Sequence, residues 1–443
     1  MTNDSPQAPE SPSSQAPSFS EALRFWIKLG WISFGGPAGQ IAIMHKEIVE
    51  RRRWLSEDHF LHALNFCMLL PGPEAQQLAT YLGWRLHGAR GGIAAGALFV
   101  LPSIFILWSL SWLYMAGGDV KAIQGLFYGL MPAVIAIVIS AVKRIGSKAL
   151  RTPALWALAV CSFVAIFHFK ISFVIIIISA GLIGLVGGKL FPKHFPAAKG
   201  HAKADSGEGP VIELPPAHPA SFRRSAKILV LCLSLWWLPL LLCGWRLGWH
   251  SVHFQEGLFF SKAALVTVGG AYAVLPYVSQ MAVDHFGWLS QEQMISGLGL
   301  AETTPGPLIM VLQFVGFVAG WQHPGGLSPL LSATLGALIT TWVTFLPCFL
   351  FVFLGAPHVE GLRERPTIAS ILTAITAAVV GVILNLAIWF AWHALRPTPH
   401  SFDWFVLVVA IAALIAMERF KAGVVPTLTA CAALGMVWHL IVR

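Results

Sequence analysis

Two apolar segments near the start of the chain are each interrupted in the middle by glycine and proline. The first covers about 21–44 and breaks at Gly35-Gly36-Pro37. The second covers about 59–86 and breaks at Pro71-Gly72-Pro73. Proline lacks an N–H and clashes with the preceding turn, and glycine loosens the backbone. Four further apolar segments follow at about 91–115, 120–142, 152–167 and 171–187. Several exceed roughly 18 apolar residues, the length of a membrane helix. In lipid a broken helix persists only where protein or a wet cavity meets its backbone. The pattern predicts an all-α polytopic membrane protein with a site at its breaks.

After a polar stretch and a lone apolar segment the pattern returns. Gly269-Gly270 repeats Gly35-Gly36, Trp288-Leu289-Ser290 repeats Trp54-Leu55-Ser56, and Pro305-Gly306-Pro307 repeats Pro71-Gly72-Pro73. All three lie 234 positions apart. Beyond an insertion near 320–335 the separation becomes 245: Leu101-Pro102 matches Leu346-Pro347, and Ala133-Val134 matches Ala378-Val379. Residues 21–188 and 258–443 are read as homologous halves. Between them lie a polar linker, 189–227, expected to be cytoplasmic and mobile, and a connecting span, 228–247. Residues 1–20, rich in Ser and Pro, read as a disordered tail. They lack the basic-then-apolar order of a signal peptide.

Composition agrees with this class. The chain is 56% apolar and 11% charged, with a mean hydropathy of +0.71, against about 25% charged in an ordinary soluble chain. The net charge of +9 does not point to nucleic acid, because the basic residues fall in short loops, the positive-inside pattern. Lys46, Arg51, Arg52 and Arg53 lie between the first two broken segments. The matching stretch, 281–293, has no Lys or Arg but carries Asp284 and Glu292. The halves are therefore expected to be inverted repeats, as in many secondary transporters. Arg85 and Arg90 follow the second broken segment, so both its ends carry cytoplasmic charge. The simplest topology makes the broken segments re-entrant hairpins, with four crossings per half plus the connecting span. The N-terminus is then cytoplasmic and the C-terminus periplasmic. The rival topology counts every broken segment as a full span, thirteen in all. The six cysteines lie in apolar segments without a CxxC pair, so no disulfide framework, zinc site or redox motif is expected. They read as small buried hydrophobes.

A half-helix that starts in mid-membrane leaves its first N–H groups unpaired, with a partial positive charge from the helix dipole. Such ends bind anions. Expected anion-site positions are Gly35, Gly36, Pro37, Gly39, Gln40, Asn65, Pro71, Gly72, Pro73, Gln76, Gln77 and Arg85 in the first half. In the second half they are Gly269, Gly270, Thr303, Thr304, Pro305, Gly306 and Pro307. The bland alternative is that glycine and proline only let helices pack closely. Glu74 and Glu302 are acids inside apolar segments, hence candidates for proton coupling. Glu74 is equally well read as a structural cap on the helix it precedes. Arg85 is either an anion partner or a snorkelling side chain; Lys28 and Arg90 read as the latter.

At these residues the chain resembles the chromate ion transporter (CHR) family in its long two-domain form. The carrying motifs are Phe34-Gly-Gly-Pro37, Trp54-Leu55, Leu70-Pro-Gly-Pro-Glu-Ala-Gln76, 83–92, Phe99-Val-Leu-Pro102, Gly269-Gly270 and Thr304-Pro-Gly-Pro307. The resemblance covers about residue 21 to the C-terminus outside the linker. It implies secondary active export of chromate across a bacterial inner membrane, driven by protons or membrane potential, and hence chromate resistance. Sulfate is the look-alike anion. Ala271 replaces the proline of the first break, so a softer break is expected there. Partners implied are the oxyanion and the lipid bilayer, with a homodimer as an open option. An alternative of another class, a membrane-embedded chromate reductase, would need a cofactor motif or paired thiols. None is present in the sequence, so a non-enzyme without cofactor or metal is expected. A sulfate transporter or exchanger, or an anion channel, stays open as an alternative.

Overall fold

The computed structural model describes residues 17–34, 36–118, 120–196, 221–268, 270–357, 366–396 and 401–442. Among these residues there are helices and no strands. The first half contains α1 (Phe19–Ile32), α2 (Gly36–His45), α3 (Glu57–Leu69), α4 (Glu74–Ala116), α5 (Lys121–Ala149), α6 (Pro153–Phe167) and α7 (Phe173–Leu190). A connecting helix, α8 (Phe222–Leu247), follows. The second half contains α9 (Val252–Val266), α10 (Ala271–Ser279), α11 (Gln291–Thr303), α12 (Val311–Gln322), α13 (Pro329–Gly355), α14 (Pro366–Leu395), α15 (Trp404–Arg419) and α16 (Val424–Val442).

The spacing found in the motifs recurs in the elements. Both α3 and α11 are 13 residues long, and their ends lie 234 positions apart. Each is capped by a serine, Ser56 or Ser290, whose hydroxyl accepts the N–H of His59 or Gln293. Such a cap meets one of the orphan donors of a helix start. Wide π turns precede them at Lys46–Arg51 and Gln280–His285. Trp54 and Trp288 then bond back to the carbonyls of Ile48 and Ala282, at 2.9 and 2.8 Å. The rings Phe25–Trp54 and Phe259–Trp288 pack at 5.4 and 5.8 Å between centroids.

The broken segments fold back on themselves. Arg52, beyond α2, pairs with Glu21 at the start of α1 and covers the Phe25 ring. Gln322 at the end of α12 donates to Gln293 at the start of α11, at 2.9 Å. In one straight helix those two residues would stand about 40 Å apart. In the first half Phe66 of α3 meets Tyr81 of α4 at 5.5 Å. The chain then reverses inside α4 at His87 and Gly88, where φ is −137° and +61°. A Cβ on Gly91 would stand 2.2 Å from the Gly83 carbonyl, so residues 74–86 and 89–116 are two arms in contact. The starts of α1 and the end of the first arm coincide, with His87 Nε2 2.8 Å from the Pro17 carbonyl oxygen. At the far end of the long arm, Tyr114 lines a cavity of about 430 Å³ with Glu292 and Gln293. The hairpins of the two halves therefore open at opposite ends of the bundle.

Some expectations shift. Seven helices are long and apolar enough to cross a membrane: α4, α5, α7, α8, α13, α14 and α16. The other two of the nine expected crossings, α6 and α15, have 15 and 16 residues, which reach only about 24 Å. The connecting span begins at Phe222 rather than 228. The start of the linker is packed, with Phe195 buried against Leu155 and Ala374. Its middle, 197–220, and the tail to residue 16 lie outside the described residues. Cys161 is exposed, whereas Cys67, Cys232, Cys348 and Cys431 are buried. The break at 267–270 is no softer than the first, because Gly270 takes φ +99° and ends any helix there.

The halves join at their breaks. The Gly72 N–H donates to the Thr267 carbonyl at 2.7 Å, and the Gly306 N–H donates to the Ser33 carbonyl at 2.8 Å. Donors and acceptors are again 234 positions apart. The hydroxyls of Ser33 and Thr267 both donate four residues back, to Leu29 and Ala263, at 2.6 Å. Gly72 and Gly306 take φ of +125° and +112°, a region that L side chains rarely enter. A Cβ on Gly306 would stand 1.9 Å from Ser103 Oγ, and one on Gly72 would stand 2.8 Å from Cys348 Sγ.

Two outcomes are expected. In impermeant-thiol labelling, cysteines at 51 and 90 should react from one side of the membrane and a cysteine at 286 from the other. Labelling of 51 and 286 from one side would contradict opposite openings. In thermal unfolding, Gly306→Ala should lose more stability than Gly36→Ala. Both incur about 1–2 kcal/mol for a left-handed backbone, but a Cβ on Gly36 meets nothing within 4 Å.

Candidate functional site

The four breaks come together as two crossed pairs. In the first, Pro73 precedes α4 and Glu74 is its first residue. Opposite them is Gly270, the residue before α10. In the second, Ser33 and Gln40, on either side of the first break, face Pro305-Gly306-Pro307. Pro307 leads into a single tight turn, Leu308–Met310, before α12. Pro37 is the second residue of α2, where a proline removes no helical hydrogen bond. Gly35 and Gly269 lie outside the described residues.

Gln40, buried on α2, donates from Nε2 to the carbonyls of Ser33, at 3.2 Å, and Gly306, at 2.5 Å. Gln77 donates to the Pro71 carbonyl at 2.7 Å, and Gln76 to Thr80 Oγ1 at 3.1 Å. A carbonyl only accepts, so the orientations of the Gln40 and Gln77 amides are fixed by what they face. Their Oε1 atoms are buried without a partner, as is that of Gln76. These glutamines hold the shape of the breaks: Gln40 places both amide hydrogens on carbonyls, and Gln76 and Gln77 each place one in the bond named.

Other expected positions fall away from this centre. Asn65 is exposed on α3, while Cys67 and Phe66 are buried. The hydroxyls of Thr303 and Thr304 donate within α11, to Leu300 at 2.7 Å and Ala301 at 3.0 Å. Arg85 is half-buried in the last turn before the reversal at Gly88, about 16 Å along the helix from Glu74. Gly39 sits close to the Phe34 carbonyl oxygen, which a Cβ there would meet at 3.0 Å.

The two acids are placed differently. Glu74 accepts from its own backbone N–H at the start of α4. Its Oε1 lies 3.0 Å from where a Cβ of Gly270 would stand, and Oε2 is buried without a partner. It thus reaches across to the break of the other half. Glu302 is buried and accepts from the Tyr272 hydroxyl, and Arg144 of α5 lies beside both. Tyr272 and Arg144 were not among the expected site residues. In the sequence Arg144 is one of four basic residues at 143–151 that follow an apolar segment, a pattern that signals orientation rather than a site. Ser103, whose hydroxyl donates to the Pro305 carbonyl, was missed as well. Its only signal was its place after the Leu101-Pro102 repeat. Among the described residues no group of three His, Cys, Asp or Glu side chains is placed to hold a metal ion.

Comparison with known proteins bears on what such a site handles. The family model described as "Chromate transporter" matches residues 20–185 and 254–436, the two halves without the linker and α8. The chromate transport protein of Pseudomonas aeruginosa is 34% identical over 372 residues, covering 83% of this chain and 79% of that protein. That of Cupriavidus metallidurans is 28% identical over 439 residues and 97% of both chains. A probable chromate transport protein of Synechococcus elongatus is 27% identical over 86% of this chain and 87% of that one. No solved structure matches the chain. With both halves matched and a relative of 34% identity aligned over most of its length, the chain belongs to the chromate transporter family.

Proposed function

We propose that the protein is a secondary active transporter that exports chromate from the cytoplasm through the paired breaks. The observation that carries this reading is the crossed pair of hydrogen bonds, Gly72 to Thr267 and Gly306 to Ser33. It brings the helix starts of both halves to one centre, with backbone N–H groups as the donors for a dianion. The cradle in this reading is made of the N–H groups left over at the helix starts, at 36–39, 75–76 and 270–272, since Gly72 and Gly306 use theirs in the crossed bonds and the prolines have none. Gln40, Gln76 and Gln77 are its supports. Opposite openings of the hairpins and opposite loop charge support two inverted repeats in a bacterial inner membrane. The basic loop 46–53 then faces the cytoplasm, with the N-terminus inside and the C-terminus in the periplasm.

Chromate and sulfate are both tetrahedral dianions, so sulfate is expected to compete for the same cradle. Proton coupling is assigned to Glu74 and Glu302. Glu302 has Tyr272 and Arg144 to hold its charge. Glu74 has its own N–H and one unpartnered oxygen, which makes it the acid whose charge competes with an arriving anion.

The test is chromate uptake into everted membrane vesicles. Uptake should saturate with chromate, fall when sulfate is added, and collapse with an uncoupler. Uptake that stays linear in chromate would favour a channel. Glu74→Gln should abolish proton-driven uptake and leave anion-for-anion exchange within about twofold of the parent, since a neutral cap still fits the helix start. Loss of both modes together with about 0.5–2 kcal/mol of stability would reduce Glu74 to a helix cap.

A further inference from the structure

One buried acid belongs to neither break. Glu256 lies one turn into α9, fully buried, and neither of its carboxyl oxygens has a hydrogen-bond partner. Ala22, also buried, holds the matching place 234 positions earlier, so the acid is a feature of the second half alone. Its Oε2 faces Gly336 of α13, where a Cβ would stand 2.9 Å away. Gly336 packs directly on Gly316 of α12, whose carbonyl oxygen would be 2.3 Å from that same Cβ. Thr340, one turn further along α13, turns its hydroxyl toward Gly316, and this oxygen is also buried without a partner. Two glycines thus let α12 and α13 close on each other at the point where α9 delivers a carboxyl group.

Nothing around Glu256 answers a negative charge. On its own helix the nearest titratable group is His253, whose ring is held by the carbonyl and hydroxyl of Ser332, both at 3.0 Å. Lys262, further along α9, is exposed. From α8 comes Cys243, while Arg246 is exposed and lies over Trp245. From α10, Tyr277 packs on Phe259 a turn away. Neither α12 nor α13 contains Asp, Glu, Lys, Arg or His, and Cys348 of α13 lies against Gly72. An isolated carboxylate in such apolar surroundings is among the least tolerated groups in a protein interior. Glu302 and Glu74 differ, because each has a donor to its carboxylate.

We propose that Glu256 is a proton-binding site of the transport cycle, carrying a proton while α9 is closed on the α12–α13 crossing and releasing it when that crossing opens to water. The step breaks one O–H bond; the proton passes to water, the carboxylate remains, and no electron is transferred. Protonation then favours the closed crossing and ionisation the open one. The proposal rests on reading the chain as a transporter with moving parts.

Two measurements on the full-length protein test it. In infrared spectra of reconstituted protein, the parent should show the high-frequency carbonyl band of a carboxylic acid without a hydrogen-bond partner. Glu256→Gln should lack that band. In everted vesicles, chromate uptake by the parent should vary across roughly pH 6 to 9. In Glu256→Gln the ratio of uptake at the two ends of this range should change by severalfold from the parent's, because the amide cannot titrate; the pH dependence that persists belongs to Glu74 and Glu302. A band that survives in Glu256→Gln, or a pH profile identical to the parent's, would overturn the proposal. Glu256→Asp serves where the amide variant does not insert; its band should move and persist, and an unmoved band would assign the signal to another acid. If the parent takes up no chromate at all, the transport reading fails, while the infrared band still decides whether Glu256 holds a proton.

Discussion

The structure depends on how a broken helix is accommodated where no water can meet its backbone. A net hydrogen bond contributes only about 1 kcal/mol to stability, but an unmet polar group in hydrocarbon costs several. Gly72 and Gly306 each leave their helices with a free N–H, and each finds the carbonyl of the residue that ends the first helix of the opposite half. Each half thus completes the breaks of the other. The glycines follow from this arrangement. Ser103 and Cys348 stand so close to them that no side chain fits, and the positive φ that aims the N–H across the interface excludes most residues in any case. Two halves that satisfy each other in this way form one unit, although their elements repeat.

The same constraint sorts the buried acids. Glu302 sits behind its break, with a tyrosine donor and Arg144 at hand, so its charge has company wherever the breaks stay paired. Glu74 stands at a helix start and uses that start's own N–H. It occupies the kind of place an anion would take. Glu256 is a full helix arm away from both and is matched by alanine in the first half. The halves are thus alike in backbone and unlike in charge, as inequivalent roles in one transport path require.

Much of this was legible in the sequence, for a physical reason. Glycine-proline breaks and serine caps are local instructions, and a repeat at one separation, 234, carries them twice. The boundaries of α3 and α11 obey it to the residue. Hairpins were legible because Arg51 and Arg90 carry like charge at both ends of an apolar segment. What was not legible is which break meets which. Gly72 could have been satisfied by its own half, and only long-range packing sends it to Thr267. Nor does the sequence show which way the polar side chains near a break turn. Asn65 is two residues from buried Cys67, which on a helix is roughly the opposite face. Thr303 and Thr304 bond their own helix, as hydroxyls in apolar helices commonly do. Arg144 was not legible as a partner of Glu302, because nothing in a sequence shows a side chain reaching inward from near a helix end.

Recognition by such a centre has a built-in limit. Gln40 and Gln77 present unpartnered oxygens to the interior, and the arginine nearest in sequence, Arg85, stands well away along α4. No arginine fork of α4 therefore faces the breaks, and the Gln40 amide has both its hydrogens on carbonyls. In the proposed reading an anion is held there by backbone N–H groups and helix dipoles, which read charge and shape but not the identity of a central atom. Discrimination between tetrahedral dianions then falls to the room left at the glycines and to the charge on Glu74, which faces Gly270 across the junction. In the proposed reading a neutral Glu74 admits a dianion to the start of α4 and an ionised one opposes it, so the group that lets the anion in would also tie its passage to a proton.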